Sequence, residues 1–140
     1  MPCLEISMPK TDEDTRARLA TRLTDAFAES TPFDADIFGI RFHEYEYGKA
    51  ASGGKICDYS DQRPYLHMLL YIPRISRTAK QSIVDTFTKA FTETLGMPEW
   101  KPVIHICEHP YDNVGVMGGL LSDMFDECAG KEFYYDLPKD

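Results

Sequence analysis

The chain has 140 residues, 43% of them hydrophobic and 27% charged, which is the size and composition of one globular domain with a real apolar core rather than a disordered segment. Its formal net charge of −8 excludes nucleic-acid binding, which rests on clustered Lys and Arg. The longest apolar run, Met68 to Ile72, falls far short of the roughly 20 residues needed to cross a bilayer, and the opening Met-Pro-Cys-Leu-Glu-Ile-Ser lacks the basic start and apolar stretch of a secretory signal, so a cytoplasmic protein with no membrane partner is expected.

Taken in chain order, Leu4 and Ile6 alternate with polar neighbours and predict a strand, while Leu19, Leu23 and Phe27 recur every four residues and predict one face of a helix. Thr11 with Asp14 resembles a capping box and starts that helix near Asp12. Thr31-Pro32 stops it, as Gly96-Met97-Pro98 stops a second helix carrying Ile83, Phe87 and Phe91. Ile37–Glu46 and Val103–Cys107, rich in Ile, Val, Phe and Tyr, read as strands.

The chain also matches itself. Pro2, Leu4 and Ile6 fall on Pro64, Leu66 and Met68 at a shift of 62; Leu19, Leu23, Phe27, Ile40 and Glu44 fall on Ile83, Phe87, Phe91, Ile104 and Glu108 at a shift of 64; and Gly53-Gly54 meets Gly118-Gly119 at a shift of 65. Each half is therefore a β-α-β unit, with a right-handed crossover making its two strands parallel. The expected fold class is α+β: two tandem repeats, about 2–54 and 64–121, forming one four-stranded sheet with both helices on one face. An acidic, aromatic tail over 122–140 completes a single domain spanning 1–140. The opposite face of the sheet, bearing Arg41, His43, Tyr45 and His105, is left to be covered by other copies of the chain.

The position with the most chemical promise is Pro2. Once Met1 is removed, Pro2 begins the chain as a secondary amine; shelter from water lowers the basicity of such an amine below its exposed value near 8, so that it is neutral and able to act as a general base. Arg74, Arg77 and Lys80 lie close together in the least acidic stretch of the chain. The guanidinium fork of an arginine holds a carboxylate through two parallel hydrogen bonds. The four cysteines Cys3, Cys57, Cys107 and Cys128 form no CxxC pair and read as free, mostly buried thiols rather than zinc ligands or a redox dithiol.

The Met-Pro opening, the paired β-α-β pattern, Arg77-Thr-Ala-Lys-Gln at a helix start and the run Tyr111-Asp-Asn113-Val-Gly115-Val-Met-Gly118-Gly-Leu-Leu-Ser-Asp123 together resemble the tautomerase superfamily over about residues 2–123. In length the chain is similar to the fused two-unit members, such as macrophage migration inhibitory factor, malonate semialdehyde decarboxylase and the cis-3-chloroacrylic acid dehalogenases; 4-oxalocrotonate tautomerase is the single-unit relative. The resemblance implies a cofactor-independent homotrimer in which Pro2 is the catalytic base and Arg74 or Arg77 binds the carboxylate of a small enolisable keto acid. Arg74 keeps the family's distance from the strand-opening proline, and Arg77 keeps the local pattern. His105 falls where migration inhibitory factor has a pocket asparagine, and Arg41 is its repeat counterpart; both are substrate-binding candidates. The chain departs from family members at Gly39, Val103 and Val116, so the resemblance does not specify the substrate.

Three functions follow as alternatives. One is keto-enol isomerisation by Pro2 as base. Another is hydration, dehalogenation or decarboxylation, with Pro2 as acid and a carboxylate, Glu44 or Glu108, activating water. The third, if Met1 stays, is a non-catalytic trimeric binding protein, because an acylated proline nitrogen has no basicity. A zinc reading of His105-Ile-Cys107-Glu108-His109 fails on spacing, since residues i and i+4 of a strand stand roughly 13 Å apart at about 3.3 Å per residue; no metal is expected.

Overall fold

The computed structural model describes residues 2–58 and 66–126; Pro64, Cys128 and residues 127–140 of the predicted tail lie outside the described residues. The alternation around Leu4 produces β1 (Cys3–Pro9), which buries Leu4, Ile6 and Met8 and turns Cys3, Glu5 and Ser7 the other way. Helix α1 (Glu13–Ser30) follows. Its N-cap is Asp12 rather than the expected pairing of Thr11 with Asp14: the Asp12 carboxylate accepts from the Thr15 amide at 2.8 Å and from the Thr15 hydroxyl at 3.0 Å. Thr11 is committed elsewhere, its amide donating to Glu44 and its carbonyl accepting from Arg16 Nη1 at 2.8 Å. At the far end, the Thr31 amide and hydroxyl both donate to the Phe27 carbonyl and close the helix.

A short 3-10 turn at Ala35–Ile37 precedes β2 (Gly39–Tyr45), so the strand starts two residues later than its apolar content predicts. Next come a small hairpin, β3 (Ala51–Ser52) and β4 (Lys55–Ile56), then β5 (Leu66–Pro73) and α2 (Arg77–Leu95). Ser76 caps α2 by accepting from the Ala79 amide at 3.1 Å, and Gly96 ends it in the left-handed region at φ 66°. Strand β6 (Pro102–His109), a second hairpin of β7 (Gly115–Val116) and β8 (Gly119–Leu120), and the single-turn α3 (Leu121–Met124) complete the described chain.

The sheet order is β2-β1-β5-β6, with β1 parallel to β2, β5 parallel to β6, and β1 antiparallel to β5. Both parallel pairs have the same offset, Leu4 lying beside Ile40 and Met68 beside Ile104. A single shift of 64 therefore relates the two halves, including their N-caps Asp12 and Ser76. Two sequence matches are corrected by this. Leu4 corresponds to Met68 rather than Leu66, which takes Pro2 off Pro64. The hairpin turns are Gly53-Gly54 and Met117-Gly118, because Gly119 is already paired with Val116.

Both long helices pack on one side of the sheet. Leu19, Leu23 and Phe27 of α1 and Ile83, Phe87 and Phe91 of α2 are fully buried with Leu4, Ile6, Leu66, Met68, Leu70 and Ile72 in one core. Each such side chain contributes about 1.5–3 kcal/mol relative to exposure. The helices run antiparallel, the end of α1 meeting the start of α2 at the Ser30 and Ser82 hydroxyls, 2.8 Å apart. Cys57 is buried, whereas Cys3 and Cys107 are only half-buried.

Among the described residues no helix covers the other face of the sheet. Cross-strand register arranges it in rows: His43, Ser7, His67, Val103; then Arg41, Glu5, Leu69, His105; then Gly39, Cys3, Tyr71, Cys107. No helix of the described chain is long and apolar enough to span a membrane.

Candidate functional site

Pro2 stands immediately before β1 and is buried. Its carbonyl accepts from the Gly39 amide at 3.1 Å, which extends the β1–β2 ladder by one bond. Cys3 pairs with Tyr71, so Pro2 lies at the end of the sheet where β5 and β6 finish. Arg74 follows β5 directly at this end, its Nε 4.0 Å from Glu108 Oε2. Lys80, in the first turns of α2, bonds to the other oxygen of the same carboxylate. Pro2, Arg74, Lys80 and Glu108 are thus gathered at one end of the sheet by the register of β1, β5 and β6.

Arg77 follows three residues after Arg74. It is exposed at the first position of α2 and borders a shallow groove of about 540 Å³ along the helix, with Lys80, Gln81, Val84 and Asp85, so that Lys80 is shared between this groove and the Pro2 group. Arg41 and His105 are elsewhere again, on the uncovered face and on opposite edge strands. Their row runs Arg41, Glu5, Leu69, His105, which separates them by roughly 14 Å at about 4.8 Å per strand. Arg41 Nη1 lies 3.2 Å from Cys3 Sγ, and His105 is hydrogen-bonded to His67. Arg41 thus reaches the residue next to Pro2, whereas His105 is held against His67 on the other edge of the sheet.

The two candidate water-activating carboxylates also part company. Glu44 is held by Arg16 Nη1 at 2.8 Å at the end of the sheet away from Pro2. Glu108, its counterpart in the second half, is at the Pro2 end.

Two histidines acquire meaning only from the fold. His109 ends β6 beside Pro73, at the Pro2 end, with Nδ1 3.3 Å from the Pro110 carbonyl. Burial pushes its pKa below the ordinary 6.5, so it is a neutral imidazole at neutral pH. His67 is the partner of His105. The His67–His105 contact has no sequence signal, because it depends on which residues face each other across strands. His105 and His109 are on one strand, β6, as the spacing argument against a shared metal requires.

No family model and no curated relative matches the sequence. Solved structures do. Native fused 4-OT superimposes with a TM-score of 0.78 over 87% of this chain and 98% of its own, at 17% identity. Pt0534 inactivated by 2-oxo-3-pentynoate gives 0.75 over 84% and 94%, at 22% identity. The fold is that of the tautomerase superfamily, in its fused form. The same tautomerase fold is found in N1, a member of the cis-3-chloroacrylic acid dehalogenase family, with a TM-score of 0.69 over 84% of this chain and 82% of that one, at 16% identity. Two other fused 4-OT structures with this fold are trimers, F6 an asymmetric one and Q0 a symmetric one.

Proposed function

We propose that this protein is a cytoplasmic, cofactor-independent tautomerase that uses Pro2, freed by removal of Met1, as general base on a small enolisable keto acid. The observation that carries the reading is the burial of Pro2 at the sheet end it shares with Arg74. A sheltered secondary amine is disfavoured as a cation and so is available to accept a proton. In the proposed reaction the neutral Pro2 nitrogen takes a proton from the carbon next to the substrate carbonyl, and the resulting prolinium returns it at a second carbon. Arg74 holds the substrate carboxylate in preference to Arg77, which borders the groove along α2. Charge developing on the enolate oxygen is stabilised by donors fixed in advance. Assembly into a homotrimer, as in fused 4-OT, supplies Arg41 and His105 from the uncovered face of a neighbouring copy.

Glu108 favours one alternative. A carboxylate at the Pro2 end suits activation of water, with Pro2 as the acid, for hydration, dehalogenation or decarboxylation.

The deciding experiment is intact mass of the untagged protein before and after exposure to 2-oxo-3-pentynoate, the compound that inactivates Pt0534. Loss of one methionine, followed by a single adduct mapped to Pro2, is expected. Retained Met1 would sink both catalytic readings and leave a trimeric binding protein. Turnover of enolisable keto acids against halogenated acrylates then separates isomerisation from hydration.

A further inference from the structure

His67 stands opposite Val103, and His105 stands opposite Leu69, so the two are diagonal neighbours on β5 and β6, both on the uncovered face. Their rings meet edge to face, with centroids 4.6 Å apart and planes at 79°. His67 Nε2 is hydrogen-bonded to His105 Nδ1.

A hydrogen bond between two neutral imidazoles needs one protonated nitrogen and one bare one. If His105 Nδ1 were the donor, both rings would carry their proton on Nδ1. If His67 Nε2 is the donor, both rings carry it on Nε2, the more stable tautomer of a neutral histidine side chain. The second arrangement is favoured at both rings at once. It leaves the Nε2–H of His105 directed away from His67 and unused within the pair.

The surroundings disfavour charge on His67. Burial, and the positive charge His105 would carry beside it, hold His67 below the ordinary 6.5. The other ionisable groups on this face, among the described residues, are Cys3, Glu5, Arg41, His43, Tyr45, Tyr71, Cys107 and His109. Glu5 lies 3.8 Å from His43 on the side of the sheet away from His105.

We propose that His67 is a positioning residue for His105: by donating from Nε2 to Nδ1 it orients the His105 ring and fixes on it a neutral Nε2–H donor, suited to the carboxylate or enolate oxygen of an anionic substrate. The substrate half rests on the proposed role of His105, while the pairing stands on its own geometry.

Long-range proton–nitrogen correlation spectra of the nitrogen-15-labelled full chain near neutral pH test it. Both rings are expected as Nε2–H tautomers, with His105 Nδ1 shifted as a hydrogen-bond acceptor. In His67→Phe, that shift is lost; in His67→Gln, whose amide can donate to the same atom, it returns. An Nδ1–H tautomer of His105 in the wild type overturns the inference whether or not any variant folds, and so do unchanged His105 nitrogen shifts in a folded His67→Phe. For the keto-acid reaction, His67→Phe is expected to raise KM about tenfold, the worth of one hydrogen bond, with kcat changed less and the Gln variant restoring it. A protein that turns over no keto acid ends the proposed function and leaves the spectra to decide the pairing.

Discussion

Arg16 Nη1 lies 2.8 Å from Glu44 Oε1, tying the first turn of α1 to the last residues of β2. The same nitrogen donates to the Thr11 carbonyl, and Glu44 in turn accepts from the Thr11 amide, so one carboxylate holds both the loop and the helix that follows it. In the other half Lys80 and Glu108 repeat this arrangement, but at the end of the sheet that carries Pro2.

Glu44→Gln removes a charged partner that is mostly shielded from water and leaves Arg16 with a weaker acceptor. We expect a loss of about 1 kcal/mol in urea unfolding, with keto-acid turnover unchanged because this pair is at the end of the sheet away from Pro2. A drop in turnover without a shift in the unfolding midpoint would place Glu44 in the chemistry instead.

Arg74 and Arg77 are three residues apart and both exposed, but Arg74 lies beside Glu108 while Arg77 borders the groove along α2. Arg74→Ala is expected to raise KM for a carboxylate substrate at least tenfold, in line with about 1.5–3 kcal/mol for a hydrogen bond to a charged group. Arg77→Ala is expected to leave KM within about twofold, as is usual for an exposed surface charge. Steady-state kinetics on the two variants decide the matter, and the reverse ranking would move the carboxylate site to the groove along α2.

Met117 occupies the left-handed region at φ 48° and is 77% exposed, whereas its counterpart in the first hairpin, Gly53, has φ 58° with no side chain to strain. Left-handed backbone costs a non-glycine residue about 1–2 kcal/mol, part of which glycine returns through its freer unfolded chain. Met117→Gly should therefore stabilise by about 0.5–1 kcal/mol. Thermal unfolding checks it; a lower melting temperature would show that the methionine side chain contributes contacts in the assembled protein.

The Asp12 cap has a pH signature. Hydrogen bonds from Thr15, first its amide and then its hydroxyl, hold the Asp12 carboxyl below the ordinary 3.8. Because the folded value is the lower one, the stabilisation is complete above pH 3.8 and is lost as pH falls through the folded value. Asp12→Ala should lower the melting temperature at neutral pH, and the gap to the wild type should close in acid. A gap that persists in acid would mean the cap is not acting through its charge.

The apolar spacing of Leu4, Leu19, Phe27 and Phe87 by itself determined the strand and helix types, the duplication and the packing of both helices on one sheet, because core burial is written in periods of two and of nearly four along the chain. Pro2 and the Arg74–Arg77 choice were also legible, as residue types whose chemistry is local. Only the tertiary structure decided the rest. It set the uniform shift of 64, put Arg74 beside Glu108, moved the hairpin turn onto Met117, sent Glu44 to the far end of the sheet, and brought His67 against His105. The physical reason is register: residue 67 meets residue 105 only after β5 and β6 choose their offset, and that choice is made by the whole core beneath them rather than by either histidine.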